Sequence, residues 1–321
     1  MVKAIATPNI ALVKYWGKKD GQNMLPMNNS ISLTLDEQLK CIADAEFADE
    51  QDEFVVNGKP ANADAYRVLE YVRKTFDTKK YFKIISDTYF PVAGGLASSA
   101  AGFAAIAFSI AKLLGEEEGI ELTITEISMI ARMGSGSACR SVLGGAVEWL
   151  AGNSDETSYA VQLVPFEEIG LVDVIGILSH EEKKISSRAG MQQTVKTSKL
   201  YLERMKTVGK RLDIVRKALK EGDYETVLIE AMKDSDNMHA CMMDTKPPLS
   251  YLNEKSLETI KRVNMLNERE GRIVCGYTFD AGPNAHIITE SKNAAEAEKL
   301  FAGIADEIIV SEIGKGPRKI L

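Results

Sequence analysis

The stretch PVAGGLASSAA at 91–101 sets Gly94, Gly95, Leu96, Ala97, Ser98 and Ser99 between a run of β-formers and a long Ala-rich apolar run of helical character. A helix entrance carries unpaired backbone N–H groups and the positive end of the helix dipole. Glycine lets that backbone approach an anion, and serine hydroxyls can ligate phosphate or a phosphate-bound magnesium ion, so Ser98 and Ser99 are candidate metal ligands. On spacing alone a second reading stays open, in which the serines cap the helix and the small residues serve close packing. The stretch has neither the lysine of a GxxxxGK[ST] loop nor the GxGxxG spacing of a dinucleotide site.

Cations and an acid follow elsewhere. PNIALVKYWGK at 8–18 holds Lys14, Tyr15 and Lys18 within five residues, set among apolar neighbours. Lysine is a point charge suited to a diphosphate, although an exposed strand edge with solvated lysines fits the same pattern. Asn9 is open to an amide contact or a turn role after Pro8. MGSGSACRS at 133–141 gathers Ser135, Gly136, Ser137 and Arg140 in one compact turn of hydroxyls, exposed N–H groups and a guanidinium fork. That set suits an anion, and arginine can grip a carboxylate with two parallel bonds, while a plain Ser/Gly turn capping a helix competes. KKISSRAGMQQT at 183–194 brings Lys183, Ser186, Ser187 and Arg188 to a helix start, and by itself reads as an ordinary capped helix. In CGYTFDAGPNAHIITE, Asp280 ends a β-run before an Ala-Gly-Pro bend, where aspartate is commonly a turn former and Asn284 serves the turn. Trp16 and Trp149 read as packing residues, and His180, His239 and His286 as neither ligands nor bases.

The elements that must position these groups follow from periodicity. ISLTLDEQLKCIADAEFADE and DEFVVNGKPA alternate β-formers with polar residues, and Asn57-Gly58 is a two-residue hairpin signal, so an antiparallel sheet is expected near the N-terminus. NADAYRVLEYVRKTF has helical spacing and YFKIISD returns as a strand. From about Asp173 a buried strand, VDVIGILS, precedes expected helices over 192–219, 225–238 and 258–267 and the strands VCGYTFD, AHIITE and EIIVSE. No repeat or long linker separates the halves. The expected organisation is α+β, with two domains at 1–180 and 181–321 sharing a cleft across a soft boundary near 172–190.

The chain has 321 residues, 45% hydrophobic and 26% charged, with a net charge of −7, which gives no general attraction for nucleic acid or an anionic membrane. Met1 to Gly17 shows no leader pattern, and the run from Ala93 to Leu114 is broken by serines and Lys112, so no membrane span is expected. Four scattered cysteines without CxxC spacing suggest reduced thiols, a cytoplasmic location and no structural zinc.

PVAGGLASSAA resembles the phosphate loop of the GHMP kinases. ATPNIALVKYWGKKD at 6–20, LPMNNSISLTLD at 25–36, MGSGSACRSVLGG at 133–145 and FDAGPNA at 279–285 are similar to the signature segments of the diphosphomevalonate decarboxylase family. The resemblance implies a GHMP kinase-like fold, with an N-terminal ribosomal-protein-S5-like domain and a C-terminal ferredoxin-like α/β sandwich. It further implies ATP-dependent decarboxylation of (R)-5-diphosphomevalonate to isopentenyl diphosphate, with ATP as co-substrate, Mg²⁺ as cofactor and a homodimeric state. It makes Asp280 the catalytic carboxylate and assigns Arg140 to the substrate's carboxylate end. Tyr15, Lys18, Ser135, Gly136, Ser137, Ser187 and Arg188 become substrate ligands, with Lys18, Arg140 and Ser187 counted with Asp280 in the catalytic set. Residues 94–99 and Lys183 are assigned to the nucleotide. A kinase that phosphorylates without decarboxylating would share the glycine loop and differ in the substrate-side set.

Overall fold

The computed structural model describes residues 1–63, 65–91, 96–181 and 183–320. In chain order they form β1 (Val2–Ala6), β2 (Asn9–Val13), β3 (Lys18–Asp20), β4 (Leu25–Pro26), β5 (Ser30–Thr34), β6 (Cys41–Ala48), β7 (Glu53–Val56), β8 (Lys59–Pro60), α1 (Arg67–Phe76), β9 (Tyr81–Thr88), α2 (Ser98–Glu118), α3 (Ile124–Gly134), β10 (Ala146–Trp149) and β11 (Ala160–Val164). There follow β12 (Leu171–Ile177), α4 (Ser187–Thr197), α5 (Lys199–Glu221), α6 (Tyr224–Met243), α7 (Glu254–Glu270), β13 (Cys275–Thr278), β14 (Ala285–Glu290), α8 (Ala294–Lys299), β15 (Glu307–Ser311) and β16 (Arg318–Ile320).

Alternating burial builds the first sheet, of order β16-β1-β6-β9-β7-β8, in which β6 and β9 pair antiparallel and turn Ala43, Ala45, Phe82 and Ile84 inward. Asn57 and Gly58 both take left-handed backbone (φ 50° and 71°) and turn β7 back onto β8 as their side-chain types require. Helices α1, α2 and α3 cover this sheet through Val68, Val72, Ala104, Ile110, Leu114 and Ile130. The alanine face of α2 lets it lie close on β1 and β6. This helix is long and apolar enough by composition to cross a bilayer, but here the apolar face is the core of the lobe.

A second sheet, β11-β10-β5-β2, and a third, β13-β14-β12-β15, sandwich α5 and α6 through a core containing Leu12, Leu33, Ile175, Val208, Leu212 and Val227. Every residue of β12 is buried, including Asp173, whose Oδ2 lies 2.6 Å from Nδ1 of His286 on the neighbouring β14. That contact partners one oxygen of a carboxylate which would otherwise be costlier still to bury, while Asp173 Oδ1 has no hydrogen-bond partner among the described residues. The other side of the third sheet is covered by Val263 and Leu266 of α7, Ala297 of α8 and Phe301 just beyond it.

One expectation is corrected, and one strand lies beyond the elements expected. The helix expected over 192–219 is two helices, because Ser198 is extended (φ −84°, ψ 126°) and its hydroxyl caps α5 by accepting from Tyr201 N–H. The closing strand β16 returns to pair with β1, and three residues of mixed polarity carry no periodic signal from which it could be read.

Candidate active site

Asp280 sits in the bend between β13 and β14, where Gly282 N–H donates to the Asp280 carbonyl at 2.8 Å and holds the turn. Its carboxylate opens on a cavity of about 870 Å³, within the range of small-molecule sites, where the two lobes meet. Lys14, one residue past the end of β2, is 1% exposed and donates from Nζ to Asp280 Oδ1 at 2.7 Å. Desolvation works to raise the Asp280 pKa, but the charge and hydrogen bond of Lys14, with His286 and Arg140 further off, hold it below the ordinary carboxylate value. Asp280 is therefore an anion at neutral pH. The reading of Lys14 as one of several solvated or diphosphate-binding lysines is corrected, because its ammonium is buried against the acid.

Arg140 lies in the 3-10 turn Gly136–Val142 and is 2% exposed. Its guanidinium donates only to neutral acceptors: Nε to Asn9 Oδ1 (3.1 Å) and Ser32 Oγ (2.9 Å), Nη1 to Ser30 Oγ (2.5 Å), and Nη2 to Asn9 Oδ1 (3.0 Å). Asn9 is itself fixed by donating to Ser137 O and Ser141 Oγ. Its side chain thus orients Arg140 rather than serving a turn. No carboxylate of the described residues is within ion-pairing reach of Arg140, and burial pulls its pKa down. A buried cation held in place without a counter-ion is a ready receptor for an acidic ligand.

Beside Arg140, Gly136 leaves room for two rings, since a Cβ there would come within 2.9 Å of Trp149 and 3.1 Å of Tyr15. Tyr15 packs edge-on against Trp149 with 4.8 Å between ring centroids. Burial raises its phenol pKa, and its hydroxyl has no hydrogen-bond partner among the described residues, leaving a neutral donor at the cavity wall. Ser135 and Ser137 follow at 3.4 Å from each other, and Ser99 reaches Ser135 at 3.3 Å, so a chain of hydroxyls runs along the floor. Lys18 on β3, Ser187 at the start of α4 and Arg188 close the same cavity. Ser186, which accepts from Ala189 N–H, is the true cap of α4.

At the α2 end of the cavity the cap of the helix is Ala97, in left-handed backbone (φ 47°), with no side-chain cap. Ser98 and Ser99 are thus the first helical residues and not the caps that the competing reading made them. Their first-turn N–H groups need an external acceptor. Leu96 and Ala97 line the cavity with them, while Gly94 and Gly95 lie outside the described residues. Lys183 stands opposite, donating to Ser187 Oγ at 3.2 Å. Although its side chain reaches solvent, crowding by the cleft walls pulls its pKa below 10.5, against a smaller opposing effect of Asp280. No group of three or more His, Cys, Asp or Glu among the described residues could hold a metal. Serine hydroxyls beside a phosphate cradle do fit magnesium, which keeps most of its waters and binds largely through nucleotide phosphates.

Every sequence-derived site residue within the described regions lines this one cavity. Trp16 and Trp149 are packing residues, donating to Thr194 Oγ1 and Ser158 Oγ. Sequence reasoning missed the pairing of Lys14 with Asp280 and the cradle of Ser30 and Ser32. The one available signal was Lys14 directly after the buried strand NIALV, four of whose five residues are apolar, a position that demands a partner.

Mixed sheets and helices in two lobes, with a phosphate-type helix start and an ion-paired acid facing one cleft, define a GHMP kinase-like fold. Residues 6–160 match the diphosphomevalonate decarboxylase-like N-terminal domain, and residues 173–306 match the mevalonate 5-diphosphate decarboxylase C-terminal domain. The chain belongs to the diphosphomevalonate decarboxylase family. It is 40% identical over 325 residues to the diphosphomevalonate decarboxylase of Saccharomyces cerevisiae, covering 93% of this chain and 81% of that one. Mevalonate diphosphate decarboxylase from Staphylococcus aureus superposes with a TM-score of 0.91 at 36% identity, over 100% of this chain and 98% of that one. A structure of the protein designated MDDEF in complex with MVAPP, AMPPCP and magnesium gives a TM-score of 0.89 at 34% identity, over 99% and 98%.

Proposed function

We propose that the cleft carries out ATP-dependent decarboxylation of (R)-5-diphosphomevalonate, yielding isopentenyl diphosphate, ADP, phosphate and CO₂. The observation that carries this reading is the pair of charges facing one cavity: a carboxylate kept ionised by Lys14, and a buried guanidinium with no acid paired to it among the described residues. Asp280 accepts a hydrogen bond from the C3 hydroxyl and aims its oxygen at the γ-phosphorus. Because its pKa is held low, it is a weak base, and a loose phosphoryl-transfer transition state asks for little more than this orientation. As the bond from the C3 oxygen to the γ-phosphorus forms, the bond from that phosphorus to the ADP oxygen breaks and ADP leaves, and the hydroxyl proton passes late in the transfer to the Asp280 carboxylate. Phosphate then departs from C3, the bond to the carboxylate breaks, and its electron pair becomes the double bond as CO₂ is released.

Arg140 orients that carboxylate through its outer N–H edge. Its existing bonds to Asn9, Ser30 and Ser32 keep it from following the charge inward, so the ground state is not over-stabilised. Tyr15, Lys18, Ser135, Ser137, Ser187 and Arg188, with the Gly136 backbone, receive the diphosphate. The first turn of α2 and Lys183 receive the nucleotide, with Ser98 and Ser99 the residues that would hold magnesium. Bound there, magnesium supplies charge neutralisation on the phosphates. The reading includes a cytoplasmic, homodimeric protein without nucleic-acid or membrane partners; four free, buried cysteines support the compartment, and family resemblance supports the dimer.

Purified protein with ATP, magnesium and diphosphomevalonate tests the proposal. ADP and CO₂ appearing in equal amounts is the expected result. ADP without CO₂ would make the protein a phosphorylating relative and overturn the decarboxylation step.

A further inference from the structure

The partner of Asp280 is itself held from the other lobe. Strand β2 is the edge of its sheet, and just beyond its end both peptide groups of Lys14 would lack strand partners. Three buried side chains supply them: Asn28, from the same lobe, donates from Nδ2 to the Lys14 carbonyl at 3.1 Å, and two more reach in from the other lobe. Asp234, on α6, accepts from Lys14 N–H at 2.7 Å through Oδ2, and Arg204, on α5, donates from Nη2 to the Lys14 carbonyl at 3.2 Å. The two are bound to each other at 2.9 and 3.0 Å, and each is anchored again, Asp234 by Arg211 at 3.0 Å and Arg204 by Asn237 at 2.8 Å. Both side chains of the pair are fully buried, at 0% exposure.

A buried ion pair is weak evidence for stability, because desolvation offsets most of the Coulombic gain, and its best-attested use is to fix an arrangement. This pair imitates a neighbouring strand for a single residue. That residue is the one whose ammonium meets Asp280. We infer that Arg204 and Asp234 are positioning residues for the reaction: they clamp the Lys14 main chain from the C-terminal lobe so that its side chain stays against Asp280. The clamp also joins the two lobes at the site, since Lys14 belongs to one and α5, α6 and Asp280 to the other. The inference rests on reading Asp280 as the reacting carboxylate.

The test uses Arg204→Met and Asp234→Asn, the latter keeping an acceptor for Lys14 N–H but no charge for Arg204, beside Lys14→Met. Wild-type turnover is measured first, and its absence would sink the activity reading alone. The clamp is then still judged by the carbon-13 titration of the Asp280 carboxyl, assigned by its loss in Asp280→Asn. Around that carboxyl the charged or titratable groups are Lys14, Arg140, His286, His239 and Lys183. Burial lowers His239 to about 4, so it is neutral above that pH and gains its charge in the range where wild-type Asp280 titrates.

In Arg204→Met the Asp280 titration moves upward by roughly one to three pH units, as in Lys14→Met, because the cation drifts off the acid. In an active enzyme kcat falls on the order of 10- to 100-fold while both KM values change little, the signature of lost alignment. The double variant Lys14→Met/Arg204→Met loses no more than about threefold beyond Lys14→Met, since the two act through one contact. Asp234→Asn gives a smaller shift in the same direction. An unmoved Asp280 titration, or losses that simply add, would reduce the pair to scaffolding. Failure of both clamp variants to fold would assign it to folding and equally overturn the proposal.

Discussion

The two ends of the cleft are built differently. At the substrate end, Lys14 and Arg140 are buried and each is fixed by several hydrogen bonds between 2.5 and 3.2 Å. At the nucleotide end, Ser99 and Lys183 are exposed and Ser98 half-exposed, and the contacts of Ser99 and Lys183 are hydroxyl contacts of 3.3 and 3.2 Å. On the proposed assignment of the two ends, the first is finished before ligand arrives, whereas the second is left for the phosphates to complete. The division follows from the chemistry. A carboxylate and a tertiary hydroxyl must be held against the direction of bond breaking, while a triphosphate brings its own charge and its own magnesium.

The sharpest break in this contrast is expected at Asp280. Asp280→Asn should lower kcat by roughly 10²- to 10⁴-fold with substrate affinity kept, checked by steady-state turnover beside equilibrium binding of diphosphomevalonate. Near-normal turnover of Asp280→Ala would remove the acid from the reaction altogether. Next comes Arg140→Gln, which takes away the buried guanidinium proposed to orient the substrate carboxylate. A loss of about 10²-fold in kcat/KM is expected, with decarboxylation hit harder than ATP binding. Equal damage to both would mean the pre-built end extends across the whole cleft.

Lys14→Met sharpens the comparison through pH. The Asp280 carboxyl is depressed below its ordinary 3.8 in the wild type, so its ionised form persists until pH falls through that lowered value, and kcat should show no acid limb above it. Without Lys14 only burial remains as the main influence, and the limb should rise above 3.8, measured as kcat from pH 4 to 8. The mildest effects belong to the open end. Ser98→Ala or Ser99→Ala should raise KM for ATP by about tenfold or less. For Lys183 the lowered pKa means that its positive charge is lost as pH rises, at a value below 10.5, so KM for ATP should climb on the alkaline side. Lys183→Arg should flatten that climb, and an unchanged profile would take Lys183 out of nucleotide binding.

Local features were legible in the residues. Asn57-Gly58 dictates its own left-handed turn, alternation in β6 and β9 fixes their inward faces, and small residues mark the entrance of α2. The anion-binding residue types in the segments at 14–18, 135–140 and 183–188 also stood in plain view. What they would touch did not. Thr123 with Glu126 forms a capping box within four residues, a contact whose partners are adjacent in the chain. Lys14 and Asp280 are 266 positions apart, and Arg204 reaches Lys14 across 190.

The sequence by itself therefore determined the local elements and the chemical inventory of the cleft, because turns, periodicity and residue type act over a few residues. Only the tertiary structure decided that Lys14 is buried beside an acid instead of dissolved in water, that Arg140 has neutral hydrogen-bond partners and no counter-ion among the described residues, and that Ala97 rather than a serine caps α2. Charge pairing and desolvation depend on which surfaces meet, and that is set when the two lobes close on each other.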